Sequence, residues 1–406
     1  MNRRTFLALT GSSLTVSVAG CIQELASSDQ TPEKTEPESG QYQFDAMNTG
    51  ITGMNAPTNP ESRWKQTFDT GVVGIAVTND LIVVSTNRQV YGLHQDNGAE
   101  QWSAEVGHSV GYAAVSDDTA YVPVHNGPPF QDRGIVAVDL NDGSERWRAA
   151  PDTDFRSPPT LSGSTVYAAG DGLVAIDATD GSKRWSLDNE TFGYVSAVDN
   201  GTVYVGGGQS STIRALTAES GEEVWQVEAE GEVTVAPTVI NDTVYVPSEH
   251  GRLYALDADD GTEQWAADLS VIADESIPED AEPVTRLPYR SDWIVPTSVA
   301  ATSETVYATI NTAIVALNSD GEHLWSQPGG SEHPPVKADD SLLVSSKNAV
   351  CLDPESGEKR WEFPIERRIF SDTTADGVGC HPVVTNDSMY VGANGGYVYA
   401  TEDENQ

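Results

Sequence analysis

Lysine is scarce in this chain: six in 406 residues, namely Lys34, Lys65, Lys183, Lys337, Lys347 and Lys359. Lys plus Arg total 22 against 62 Asp plus Glu, a formal net charge of −40. A surface this negative repels phosphate backbones, which excludes a nucleic-acid binder. Three cysteines are too few for a disulfide-stapled scaffold. The seven histidines show no His-x-x-x-His spacing and the cysteines no Cys-x-x-Cys, so no zinc motif is present. No loop has EF-hand spacing. No apolar run approaches the roughly 20 residues of a membrane-spanning helix. The acids are scattered rather than gathered in a tail. Dispersed carboxylates with few lysines predict a surface adapted to molar salt, where screening relieves self-repulsion.

The first forty residues read as an address. Arg3 and Arg4 form a twin-arginine pattern, followed by an apolar stretch from Leu7 to Ala19. Val18-Ala19-Gly20-Cys21 then has the form of a lipobox, in which cleavage precedes the cysteine and its thiol carries lipid. This predicts a signal peptide over residues 1–20 and lipidation at Cys21; the alternative is an uncleaved anchor. Residues 21–41 are rich in Ser, Thr, Pro and Glu and predict a flexible acidic tether. Residues 42–406 form the third and largest region.

A repeat dominates that region. Gly-x-x-x-Trp occurs at Gly98/Trp102, Gly143/Trp147, Gly181/Trp185, Gly221/Trp225, Gly261/Trp265, Gly321/Trp325 and Gly357/Trp361. Trp64 opens the series. The steps between successive tryptophans are 38, 45, 38, 40, 40, 60 and 36 residues. A period near 40 suits a four-stranded propeller blade. Each unit carries two short β-branched runs joined by a turn pair such as Asn241-Asp242, which is a hairpin signature. Strands A, B and C are then of the Pro-Thr-Val-Val, Val-Tyr-Val and Tyr-Ala-Leu-Asp types, and strand D starts at the tryptophan. The glycine supplies positive φ at the C–D turn. The tryptophan is expected to cover the neighbouring blade, with its indole N–H satisfied at that turn.

The last units, 380–385, 389–393 and 397–401, supply strands A, B and C without a tryptophan strand. Residues 63–68 supply a lone strand D. Joining them predicts an all-β, eight-bladed β-propeller of four-stranded antiparallel blades, its ring closed by an N-terminal strand plus C-terminal strands.

These residues resemble the pyrroloquinoline-quinone (PQQ)-type repeat family, whose motif matches Ala-Leu-Asp-x-x-x-Gly-x-x-x-Trp at residues 255–265. The resemblance covers roughly residues 42–401. The exported, acidic chain is similar to haloarchaeal-type lipoproteins, and Asp45-Ala-Met-Asn48-Thr-Gly50 looks like the opening segment of archaeal relatives. Thr217 stands where the motif has Asp, and the sixth unit is one residue shorter. Enzymes of the family imply an adjacent cysteine pair, calcium ligands and a catalytic aspartate. Here Cys351 and Cys380 are far apart and no Cys-Cys occurs. The chain is more similar to the non-enzymatic branch, which includes the lipoprotein of the bacterial barrel-assembly machinery. This implies no cofactor; PQQ with calcium is the alternative.

Candidate contact residues fall in two groups. Tyr112, Arg156, Tyr194, His333 and His381 align near the start of strand A, which lines a propeller's central channel, so they could converge on one mouth. The plainer reading is a polar funnel lining. The second group is an insert of about twenty residues within 269–294, carrying Arg290 and Trp293, a pairing enriched at interfaces. Phe130, in a lengthened B–C hairpin of blade 2, is a further candidate. Cys351 and Cys380 lie in neighbouring blades, either as a disulfide or as buried free thiols. Four glycosylation sequons begin at Asn189, Asn200, Asn241 and Asn386.

The expectation is therefore a lipid-anchored propeller on the extracytoplasmic membrane face, without catalysis. It would bind an unidentified cell-surface or membrane protein and no nucleic acid. The alternatives are a PQQ-dependent dehydrogenase or quinone sensor, and a small-solute binder using the central funnel.

Overall fold

The computed structural model describes residues 45–107, 111–125, 133–155, 157–188, 191–192, 197–207, 210–233, 235–278, 280–285, 299–331, 333–370, 373–375, 377–385 and 388–403. They form eight four-stranded antiparallel sheets, seven of them built from strands consecutive in sequence, plus one two-stranded hairpin. Blade 5 shows the pattern, with A at Thr238–Ile240, B at Thr243–Ser248, C at Arg252–Asp257 and D at Glu263–Asp268. The A strands neighbour one another around the ring, so they form its inner wall. Blade 8 joins Val383–Val384, Met389–Ala393 and Tyr397–Asp403 to Pro60–Thr67 from the other end of the chain. The eight-bladed ring and its mode of closure match the expectation.

In each Gly-x-x-x-Trp repeat, strand D begins two residues before the tryptophan rather than at it. A bulge explains the difference. In blade 5, Ala255 faces Trp265 while the next residue, Leu256, faces Glu263. The extra residue opposite that step sharpens the twist and turns the indole towards the next blade.

There the indole meets the next C–D turn. Trp225 lies against Gly261, and its Nε1 donates to the Ala258 carbonyl at 2.9 Å. The same hydrogen bond recurs from Trp64 to Gln95, Trp102 to Leu140, Trp147 to Ala178, Trp185 to Ala218, Trp265 to Ser319 and Trp325 to Pro354. Two constraints select glycine at this turn. Gly261 has φ +74°, and a Cβ there would come within 2.8 Å of the Trp225 ring. The tyrosine of strand B adds to the joint: the Tyr204 hydroxyl donates to the same Ala258 carbonyl at 3.3 Å. Its burial pushes the Tyr204 phenol up to about 12. The next blade's turn thus satisfies two polar tips at one oxygen while their rings exclude water.

Trp361 has no such turn to rest on, because strands C and D of blade 8 come from opposite ends of the sequence. It packs instead against the cluster that holds Met54, Ala56 and Tyr399. Among the described residues, one α-helix occurs, Leu269–Ser276, within the insert. Asp268 caps it by accepting from the backbone N–H of Ser270 and Val271. Leu269 and Ala273 are buried in the core shared with Val299, Ala301 and Val306. The first part of the insert is therefore bound down onto the ring. No helix among the described residues is long and apolar enough to cross a membrane.

Candidate functional site

The two mouths of the ring differ. At the mouth bearing the A–B turns, residues 45–54 stride across four blades. The backbone N–H of Val198 in blade 4 donates to the Ala46 carbonyl at 2.6 Å, and Val239 in blade 5 to Met47 at 2.9 Å. Ala301 in blade 6 donates to Thr49 at 2.9 Å, and Lys337 in blade 7 to Gly50 at 2.8 Å. Asn48 reinforces the run, its Nδ2 donating to the Pro237 carbonyl at 3.1 Å. Asn48 and Gly50 both have positive φ, which lets the chain turn from blade to blade. Asp45 starts the segment and accepts from the Thr49 backbone N–H at 3.0 Å and from its hydroxyl. Burial pushes the Asp45 carboxyl up to about 6, against the pull of these hydrogen bonds. The Asp45-to-Gly50 motif was visible in the sequence; its placement across four blades was not.

At the opposite mouth the structure brings together Tyr112, His333 and His381. The Tyr112 and His381 rings stack in parallel, with centroids 5.5 Å apart and planes 1° from alignment. They belong to blades 2 and 8, with blade 1 between them. Gly74 of blade 1 makes this contact sterically accessible, since a Cβ there would come within 2.8 Å of the Tyr112 ring. His381 is 1% exposed. Burial, and then the charge of His333, push its imidazole down to about 3. His333 is lowered by burial, and its Nε2 donates to the Val378 carbonyl at 3.1 Å. Both rings are therefore neutral near pH 7. The cluster can exchange hydrogen bonds and stack.

Other sequence candidates lie outside the described residues: Arg3, Arg4, Cys21, Phe130, Arg156, Tyr194, Arg290 and Trp293, with the sequon residues Asn189 and Asn386. Asn200 and Asn241 are exposed at A–B turns with positive φ. Cys351 and Cys380 do not form a disulfide. Both are free and buried, in separate core clusters, and burial pushes their thiols up to about 11 and about 12. Their neighbouring blades each enclose one of them in its own apolar packing.

Sequence reasoning also missed a clasp. Between blades 7 and 8, Arg368–Phe370 pairs with Thr373–Ala375 as a hairpin. The Arg368 guanidinium reaches from it to the Phe68 carbonyl at 2.6 Å and the Gly395 carbonyl at 3.2 Å. It thereby ties the N-terminal strand to the C-terminal hairpin. The Arg367-Arg368 doublet in so acidic a chain was the available signal.

Comparison with known proteins decides the family. The outer membrane protein assembly factor BamB family matches residues 46–128, 87–196, 172–325 and 310–405. The chain belongs to this family. BamB of Yersinia pestis is 23% identical over 343 residues, covering 80% of this chain and 70% of that protein. The crystal structure of BamB from Moraxella catarrhalis superposes with a TM-score of 0.63 at 17% identity, covering 84% of this chain and 99% of that one. The ring is also similar to the quinohemoprotein alcohol dehydrogenase of Comamonas testosteroni, with a TM-score of 0.68 at 12% identity. That likeness covers 91% of this chain and 81% of the dehydrogenase, and concerns the fold. The BamB family and the dehydrogenase thus share one architecture.

Proposed function

We propose that this protein is a lipid-anchored, extracytoplasmic propeller that binds other proteins as a scaffold and performs no catalysis. The observation that carries this reading is the match to the BamB assembly-factor family across the whole propeller. The lipobox cysteine Cys21 behind Arg3 and Arg4 supports export and anchoring. A tether beginning at Cys21 would enter the ring at Asp45, on the mouth that residues 45–54 cross.

The quinone-dependent alternative fits the residues poorly. The sequence has no adjacent cysteines, and Cys351 and Cys380 are buried apart from each other. At the mouth, the Tyr112 and His381 rings stack on each other.

Crosslinking intact membranes and purifying the protein through its C-terminus tests the scaffold. The expected result is a defined protein partner that Arg290→Ala and Trp293→Ala weaken if the insert is the contact. Cys21→Ala should release the protein from membranes. Saturable binding of pyrroloquinoline quinone with calcium, with alcohol or sugar oxidation, would overturn the reading.

A further inference from the structure

The strap of residues 45–54 shows how this ring holds an extended chain. In blades 4 to 7 its carbonyls accept one inward A-strand N–H per blade, those of Val198, Val239, Ala301 and Lys337, at 2.6 to 2.9 Å. In blade 7 the contact runs both ways. The Thr52 N–H donates to the Lys337 carbonyl at 2.9 Å, so that Ile51 pairs with Lys337 as a parallel bridge. The short run from Ala46 to Gly50 thus serves four blades.

Blades 8, 1 and 2 present the same edge, and residues 45–54 make no backbone hydrogen bond to it. The Thr385 N–H donates across its A–B turn to the Ser388 carbonyl at 2.8 Å, Thr78 to Leu81 at 2.9 Å and Ser116 to Thr119 at 2.9 Å. Successive N–H groups of a strand point to opposite edges. Those of the preceding residues, Val384, Val77 and Val115, therefore point into the channel, as Ala301 does before Thr302. None of the three has an acceptor among the described residues. All three residues are buried, and a buried backbone donor without a partner is costly. The rim of this arc is acidic. Asp80 and Asp117, on the A–B turns of blades 1 and 2, are exposed and form no ion pair among the described residues, whereas Asp118 is held by Arg146 at 2.9 Å.

We propose that the arc over blades 8, 1 and 2 holds an extended segment of a partner protein that bears lysine or arginine. Its backbone carbonyls accept from Val384, Val77 and Val115, as the strap's carbonyls accept from the four blades that follow it. Recognition by an added strand takes its affinity from the main chain. Asp80 and Asp117 favour a cationic segment over an acidic one. The inference rests on the scaffold reading and names one contact surface for it.

Amide-resolved NMR titration of the purified protein tests it, with a synthetic peptide that copies residues 46–51 and carries a lysine at each end. Saturable shifts are expected at Val77, Val115 and Val384, and none at Val198, Val239 or Lys337. A glutamate-flanked peptide should bind more weakly. Val77→Pro/Val115→Pro removes two donors and no ladder hydrogen bond, because both residues sit on the inner edge strand. It should weaken binding roughly tenfold or more. Val77→Ala/Val115→Ala keeps the donors and should bind within a few-fold of the parent. The proposal is overturned if no shift saturates, if the glutamate-flanked peptide binds as well, or if the proline variant, folded by circular dichroism, binds as well as the alanine variant. The parent's shift map decides even where the proline variant does not fold. Exchange of the three amides as slow as at Val198 and Val239 before peptide is added would also overturn it. That result would mean the arc is already filled, by another segment of this chain or, where protection grows with protein concentration, by a second copy. If this surface fails while crosslinking still captures a partner, the scaffold reading stands without it.

Discussion

Asp403 Oδ1 accepts the backbone N–H of Thr58 at 2.7 Å and of Asn59 at 2.8 Å, joining positions 345 and 344 residues apart. The pair sits where Tyr397–Asp403 meets Pro60–Thr67, the seam at which the ring closes. Replacing Asp403 by Ala removes the shared acceptor of both hydrogen bonds and should cost about 1 kcal/mol, given its exposure. Asp403→Asn keeps an acceptor oxygen and should retain most of the stability. Thermal unfolding followed by circular dichroism reads the order: parent, then Asn, then Ala. Equal melting of all three would remove the seam role.

The inter-blade joint makes a second, larger prediction. Trp225→Ala should cost about 3–5 kcal/mol, because it empties a buried aromatic site. Gly261→Ala should cost about 1–3 kcal/mol, from its positive φ and the clash with Trp225. Trp361→Ala should cost less than Trp225→Ala, because Trp361 is half-buried and rests on no C–D turn. Urea midpoints rank the three. A loss at Trp361 matching that at Trp225 would contradict the seam geometry.

Stability should fall on acidification through His381. Its folded value of about 3 lies below the ordinary histidine value near 6.5. The unfolded chain therefore binds the proton more readily between those values. The contribution is complete above pH about 6.5 and is lost as pH falls towards 3. Asp45 acts with opposite sign, since its folded value of about 6 exceeds the ordinary carboxyl value near 3.9. Protonation between pH about 4 and 6 favours the folded form there. His381→Gln should flatten the acid slope of melting temperature against pH, and an unchanged slope would show that His381 does not drive it.

Cys351 and Cys380 should be silent towards a thiol reagent in native protein and react as two thiols in denaturant. Their burial and raised thiols leave almost no thiolate at neutral pH. A reductant should leave the melting temperature unchanged. A shift on reduction would point to a bond these thiols do not form.

The sequence by itself determined the blade. Gly261 and Trp265 keep a fixed spacing because one turn needs positive φ and one bulge turns the indole outward. Both are local demands repeated in every unit. Closure was equally legible, since a lone tryptophan strand at one end completes three strands at the other. Only the tertiary structure decided what the ring brings together. Tyr112 meets His381 because blade 1 presents Gly74 between them. Residues 45–54 lie across four A strands because the ring aligns the A–B turn ends of those strands. Arg368 reaches Phe68 and Gly395 only once both ends are docked. Such contacts depend on the rotation from one blade to the next, which no single repeat encodes, and so their partners could not be read along the chain.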